Sequence, residues 1–476
     1  MSIKSILTIG ICACLLTGCT LGPNYNAPFF AFGEKTWADG GTDQASYISN
    51  AKIEQNWWQN LNDPTLNALV DEAVNANLDI KIAKKNLERA DALLSQSRSG
   101  LFPRVDAQGG MTRRKLSENS GIPTGPQNPR IQDFYDAGLV SNWEIDIFGG
   151  TRREIAASYA RFESLEERTR DTLLIVLSEV ARNYIELRGA QQRSLVIENN
   201  IALQDKTVAL VKRRFDVGDA SDFDYSRALA QLQATKARLP NISGQIDTLI
   251  YRLSVLTGQP PEALLADLSP VQDMPVNPDI VKVGLRSELL QRRPDVRAAE
   301  RNLAAEINDI GARVADLFPK FTLTGSVGFE SIGTSDFISS SSETWRIGPG
   351  ISWPIFSAGL IRAQIDAEEA EADAAIFEYE KTVLLALEDA ETALVQYGRE
   401  LEARAQLQSV VNTRAKNIRL AKKRYESGLD SLINLTDTER EALNSEEELI
   451  ASETALLLKL TRLYKSLGGG WNENES

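Results

Sequence analysis

Histidine is absent from all 476 residues of the chain. Its absence removes the commonest general base near neutral pH and the commonest metal ligand together, so serine, cysteine and zinc hydrolase schemes each lose a member. Methionine is nearly as scarce. Three residues, Met1 among them, leave no thioether cluster to select copper or silver. Cysteine is confined to Cys12, Cys14 and Cys19, so a chain trimmed to Cys19 forms no internal disulfide. Positive charge is short as well. Lys+Arg 52 against Asp+Glu 66 gives a formal charge of -14, the wrong sign for neutralising phosphates, which excludes nucleic acid as a partner. No apolar run reaches the roughly 20 residues that a spanning helix needs. No Gly-rich phosphate loop and no nucleophile elbow occurs, and no spacing of carboxylates suggests a hydrolase, so the reading is that the chain is not an enzyme and holds no metal or cofactor. What remains, 42% hydrophobic and 25% charged residues, excludes disorder.

The beginning of the chain has its own logic. Lys4, the apolar run ILTIGICACLL and Cys19 at its end read as a secretory signal over residues 1–18. LTGC at 16–19 resembles a bacterial lipobox, which implies cleavage before Cys19 and acylation of that cysteine, palmitate among the chains. A plain signal peptide with an incidental cysteine is the alternative. Several acyl chains on one residue anchor stably where a single chain does not. In that class Thr20, rather than an aspartate, after the cysteine implies sorting to the outer membrane. Loss of Lys4 with the signal takes the charge to about -15.

The rest of the chain repeats itself. LFPRV at 101–105 is answered by LFPKF at 317–321, NWEIDIFGGTRR at 142–153 by SWPIFSAGLIR at 352–362, and KRRFDVGDAS at 212–221 by KKRYESGLDS at 422–431. Three landmarks in one order, offset by about 210 residues, indicate an internal duplication. The expected organisation is a signal peptide over 1–18, a lipidated segment over 19–60, repeats over 61–270 and 271–470, and a tail over 471–476. Each repeat reads helix, strand, strand, long helix, turn, long helix. Leu173, Leu177, Val180, Tyr184 and Leu187 in the first, and Leu387, Ala390, Leu394, Tyr397 and Leu401 in the second, alternate steps of four and three. That narrow stripe is the seam of a coiled coil.

The predicted strands are 104–112, 137–147, 321–330 and 345–353. In FTLTGSVGFE, Phe321, Leu323, Val327 and Phe329 share one face and Thr322, Thr324, Ser326 and Glu330 the other; Trp345, Ile347, Ile351 and Trp353 continue the scheme. About ten residues of such alternation with terminal aromatics suit a tilted membrane strand, although soluble antiparallel sheets alternate too. Four strands cannot close a membrane barrel, so further copies must complete it, and three copies give twelve strands. The fold class expected is mainly α with a small β part.

CTLGPNYNAP, WWQNLNDPTLNALVDEAVNANLDIKIA at 57–83, both LFP strand openings, QRRPDVRAAE at 291–300 and the two glycine-containing helix turns together resemble the TolC-like outer-membrane factors, in their lipoprotein branch of NodT and OprM type. The likeness covers nearly the whole mature chain. It implies a homotrimer with a twelve-stranded membrane barrel, a periplasmic helical barrel, and docking to a periplasmic adaptor and an inner-membrane pump. Arg214, Val217, Gly218 and Ser221 match the family's adaptor-contacting tip in the first repeat, and Arg424, Gly428, Leu429 and Ser431 in the second. Each glycine also reads simply as a helix end. Four-then-three spacing puts Ile433, Asp437 and Arg440 on one helix face, and these match the family's aperture positions. Three Asp437 carboxylates on a threefold axis would repel one another unless a cation such as Arg440 compensates. QRRPDVRAAE itself reads as a helix start, with Pro294 in the first turn. The function expected is a passive, gated exit duct for toxic solutes; a lipid-anchored scaffold without a pore is the alternative.

Overall fold

The computed structural model describes residues 20–28, 37, 47–49, 51, 53–117, 119, 121, 123, 125, 129–284 and 286–471. The signal segment, Cys19 and the tail past Trp471 lie outside the described residues. In the first half, α1 (Pro64–Ala76) and α2 (Leu78–Ser99) precede strands β1 (Arg104–Lys115) and β2 (Ile131–Ile145). Helices α3 (Gly150–Asp216), α4 (Asp222–Lys236) and α5 (Leu239–Leu256) complete it. The second half gives α6 (Arg286–Arg292), α7 (Pro294–Ala315), β3 (Lys320–Ser331), β4 (Glu343–Ser352), α8 (Leu360–Glu426) and α9 (Leu432–Ser466).

The duplication is written in the backbone. Helices α3 and α8 are both 67 residues long, and α2 and α7 both 22. Gly149, Gly218 and Gly258 have left-handed φ angles, and so do Gly359, Gly428 and Gly468, each 210 positions further on. One expectation fails. The second long helix of the first repeat is broken into α4 and α5 at Ala237–Arg238, whereas α9 runs unbroken for 35 residues. Pro240 in the first turn of α5 has no N–H to continue the ladder, and its repeat counterpart Ile450 does. Strand β2 also begins at Ile131, six residues before the predicted start.

The chain packs as two compact units. One contains the sheet, antiparallel throughout in the order β1-β2-β3-β4. Two of its tryptophans are used identically: Trp143 Nε1 donates to the Leu101 carbonyl and Trp353 Nε1 to the Leu317 carbonyl, both at 3.0 Å. Where β2 meets β3, Gly138 stands opposite Gly328. A Cβ on Gly138 would fall 2.5 Å from the Val327 carbonyl, so this seam closes only over glycine. Val105, Met111, Trp345, Ile347 and Ile351 are exposed. Residues 20–28 lie against this unit, with Arg153 donating to Leu21 O (3.0 Å), Asn24 Oδ1 (2.8 Å) and Asn308 Oδ1 (3.1 Å). The TLGPNYNAP segment, residues 20–28, is therefore a strap read by one buried arginine.

The other unit is helical. Both heptad stripes pack inward: Leu177, Val180, Tyr184, Leu187, Leu387, Ala390, Leu394 and Tyr397 are buried. WWQNLNDP supplies Trp57, stacked on Tyr464 at 5.2 Å, and Asp63, which caps α1 by accepting from Thr65 N (2.9 Å) and Leu66 N (3.0 Å). Asp63 also accepts from the Tyr184 hydroxyl at 2.7 Å. QRRPDVR starts α7 at Pro294 and goes further. Arg293 donates to the Ser466 carbonyl (3.1 Å), Arg297 pairs with Glu167 (2.7 Å), and Trp471 lies between Arg170 and Arg297 at 5.2 and 5.3 Å. The motif fastens the end of the chain. Removing the stacked indole in Trp57→Ala is expected to cost about 3–5 kcal/mol, seen as a lowered Tm when helix content is followed on heating.

Candidate functional site

The helical unit carries the two turns that the repeat pattern singled out, α3 to α4 and α8 to α9. Both helices end the same way. Gly218 N–H donates to the Phe215 carbonyl (2.9 Å) and Asp219 N–H to the Arg214 carbonyl (2.8 Å). Gly428 N–H donates to Tyr425 O (3.0 Å) and Leu429 N–H to Arg424 O (2.9 Å). This pair of bonds is the Schellman termination, which needs the left-handed glycine at each end, φ +81° and +70°. A Cβ at either glycine would meet nothing within 4 Å, so the backbone angle alone demands glycine there. After the turn, Ser221 and Ser431 each cap the next helix, accepting from Asp224 N (3.1 Å) and Asn434 N (3.4 Å).

The two turns differ in how they hold themselves. Asp224 returns a bond to Ser221 N–H at 3.2 Å and completes a capping box. Asn434 donates instead to Asp430, whose carboxylate also accepts from Ser431 N (2.9 Å) and Arg424 Nε (3.1 Å). The Asn434 amide, the Ser431 N–H and Arg424 hold Asp430 below the usual carboxylate range. Arg214, the repeat partner of Arg424, reaches across to the other hairpin: it donates to the Tyr425 carbonyl at 3.2 Å and lies 4.9 Å over the Tyr425 ring. A small apolar cluster of Val211, Ala228, Tyr425, Leu432 and Leu435 joins the turns. Val217, Leu429 and Phe223 are left exposed at 78%, 71% and 67%.

Ile433, Asp437 and Arg440 lie on α9, all solvent-accessible. Arg440 is 3.2 Å from Asp437, and a second guanidinium, that of Arg227 on α4, is 3.8 Å from the same oxygen. The carboxylate expected to repel its copies thus has two cations inside its own chain. Sequence reading missed Arg227 and Phe223, and the 210-residue offset could have found both. Arg227 is the repeat counterpart of Asp437 and Phe223 that of Ile433.

Two residues beyond Asp437, Glu439 points the other way and is 1% exposed. It accepts from Thr207 Oγ1 of α3 at 2.8 Å. Burial pushes its carboxyl above the usual range, partly offset by the Thr207 hydroxyl and by Lys422. A carboxyl whose folded value is raised favours folding while protonated, and that contribution is lost as pH rises through the raised value. Lowering the pH from about 7.5 to about 5.5 is therefore expected to raise Tm more in the wild type than in Glu439→Gln.

The family described as outer membrane efflux protein matches residues 69–259 and 285–469. The chain is 30% identical over 476 residues to the antibiotic efflux pump outer membrane protein ArpC of Pseudomonas putida, covering 99% of this chain and 96% of that one. It is 31% identical over 469 residues to the toluene efflux pump outer membrane protein TtgI of Pseudomonas putida, covering 97% of each. Among solved structures, the outer-membrane channel OprN superposes with a TM-score of 0.88 at 34% identity, over 95% of this chain and 100% of that one. The Campylobacter jejuni outer membrane channel CmeC gives 0.87 at 25% identity over 96% of each.

Proposed function

The chain belongs to the outer membrane efflux protein family, and from that premise we infer that it is the outer-membrane duct of an efflux pump, carrying small toxic organic solutes outward. It is an outer-membrane channel with a periplasmic helical extension. The observation that carries the channel reading is the sheet: four antiparallel strands with apolar exposed faces and both edges unpaired. Among the described residues no helix is long and apolar enough to cross a membrane. Hydrocarbon does not tolerate open edges, and single-chain barrels start at eight strands, so three copies together form a twelve-stranded barrel.

The finer reading is as follows. Cys19 carries the lipid anchor, and the strap over residues 20–28 holds the anchor close to the sheet. A periplasmic adaptor seats on the turns through Val217, Leu429 and Phe223, with Arg214, Arg424, Gly218, Gly428, Ser221 and Ser431 fixing their shape. Energy comes from an inner-membrane pump that selects the solute. The duct needs no cofactor and performs no reaction. Ile433, Asp437 and Arg440 narrow the end formed by the turns, and Arg227 ties the first repeat to the second across that aperture. Each exposed ion pair contributes only a few tenths of a kcal/mol, so the latch is weak enough to be opened by a partner.

Conductance of the purified protein in a planar bilayer tests this. Wild type should open rarely and to small levels. Asp437→Ala and Arg227→Ala should each open roughly fivefold more often, as expected when three copies lose pairs worth a few tenths of a kcal/mol each, about 1 kcal/mol of closing free energy together. Steps that are identical in all three proteins would keep the channel and discard the latch. Silence from a folded preparation would return the chain to the role of a lipid-anchored scaffold.

A further inference from the structure

The face of β1 that carries the exposed Val105 and Met111 runs Val105, Ala107, Gly109, Met111, Arg113 and Lys115. Four apolar or small residues are followed by two cations. At about 3.3 Å per residue Lys115 lies roughly 33 Å along the strand from Val105, and a barrel tilt of about 40° makes that about 25 Å of height, the thickness of an apolar band. Arg113 stands about 20 Å up, and its stem is long enough to lift the guanidinium toward the same level. This end of the sheet is the outer one, because the opposite ends of β1 and β2 join α2 and α3 of the periplasmic extension.

The two cations depart from the repeat. LFPRV at 101 and LFPKF at 317 set the offset here at 216, which makes Phe329 and Ser331 the counterparts of Arg113 and Lys115. The stretch 321–345 carries Glu330, Asp336 and Glu343 and no base. Arg113 Nε lies 3.5 Å from Asp133, its directly opposed residue, yet the Arg113 side chain remains 70% exposed. Lys115 is exposed as well. Below them Gly109 stands opposite Ala137. A Cβ on Gly109 would meet Asp136 O at 3.7 Å and Ala137 Cβ at 3.9 Å, ordinary contacts, so no approach among the described residues demands glycine there. The result is a shallow strip of small side chains under two cations, bordered above by Met111 and Tyr135.

We propose that Arg113 and Lys115 hold the phosphate of a phosphate-bearing lipid in the outer leaflet, whose acyl chain lies over Gly109 and Ala137. The guanidinium offers parallel N–H donors that fit two phosphate oxygens, and the ammonium adds a mobile point charge beside it. At the edge of hydrocarbon these charges act in a lower dielectric than water gives. A soluble phosphate would use the cations but gain nothing from the strip. Arg114, between them in sequence, belongs to the other face: it donates to Gln132 Oε1 at 3.1 Å and lies 5.7 Å over the Phe134 ring. The inference rests on the channel reading above and adds to it a lipid ligand with the residues that take it.

Native mass spectrometry of the full-length protein, delipidated in detergent, tests this by titration with dioleoyl phosphatidate and with dioleoylglycerol, which has the same chains and no phosphate. The wild type should retain phosphatidate roughly tenfold more tightly. Arg113→Gln combined with Lys115→Gln should bring the two lipids to one affinity, and Arg114→Gln should leave the preference unchanged. Gly109→Leu, which fills the strip, should weaken both lipids together. An unchanged preference in the double variant, or an equal loss in Arg114→Gln, would overturn the site. Displacement of phosphatidate by equimolar glycerol 3-phosphate, or wild-type binding of both lipids by Gly109→Leu, would overturn the lipid as the source of the phosphate. Conductance steps without any phosphate preference would sink this proposal alone. A folded preparation that is silent in a bilayer and binds neither lipid would sink the channel reading with it.

Discussion

The outward-facing hydrogen-bonding groups of the edge strands β1 and β4 meet no further strand among the described residues, and much of the protein is arranged around that lack. In water such edges would be blunted by charge or covered by a loop. Here they border faces carrying Val105, Met111, Trp345, Ile347 and Ile351, side chains suited to hydrocarbon, where an unsatisfied backbone group costs several kcal/mol. The sheet is therefore a fragment of a closed structure. Its completion by identical copies turns a four-stranded hairpin pair into a wall around a pore.

Duplication gives the chain near-equivalent halves, and function enters where the halves diverge. The Schellman ends at Gly218 and Gly428 are alike bond for bond. Around them the equivalence is broken in charge and size: Arg227 against Asp437, Phe223 against Ile433, the capping box at Asp224 against the Asp430 cluster at Asn434. Opposite charges at equivalent positions on neighbouring helices attract, so divergence converted a repeat position into a link between repeats. Because the link is solvent-exposed it is weak. The buried Glu439 and Thr207 pair beside it supplies a firmer joint.

Strand positions were legible because their period is two and their ends are aromatic; FTLTGSVGFE fell within β3. The stretch Ile131–Asp136 was missed because its polar and aromatic residues do not alternate as cleanly. The break between α4 and α5 is marked only by Pro240, whose missing N–H interrupts the helical ladder there. In the candidate site the paired glycines were readable from the repeat spacing. The Arg227 contact was not read from local spacing, although the 210-residue offset marks Arg227 as the counterpart of Asp437.

By itself the sequence determined the periodicities: which residues face one side of each strand, which line each helix seam, and that the whole is doubled. Those follow from local geometry, 3.6 residues per helical turn and two per strand repeat. Tertiary structure decided the pairings. Arg153 reading the strap, Trp471 held between two arginines, Asp437 shared by Arg227 and Arg440, and Gly138 pressed on Gly328 depend on distances between distant segments, which packing sets and linear order does not.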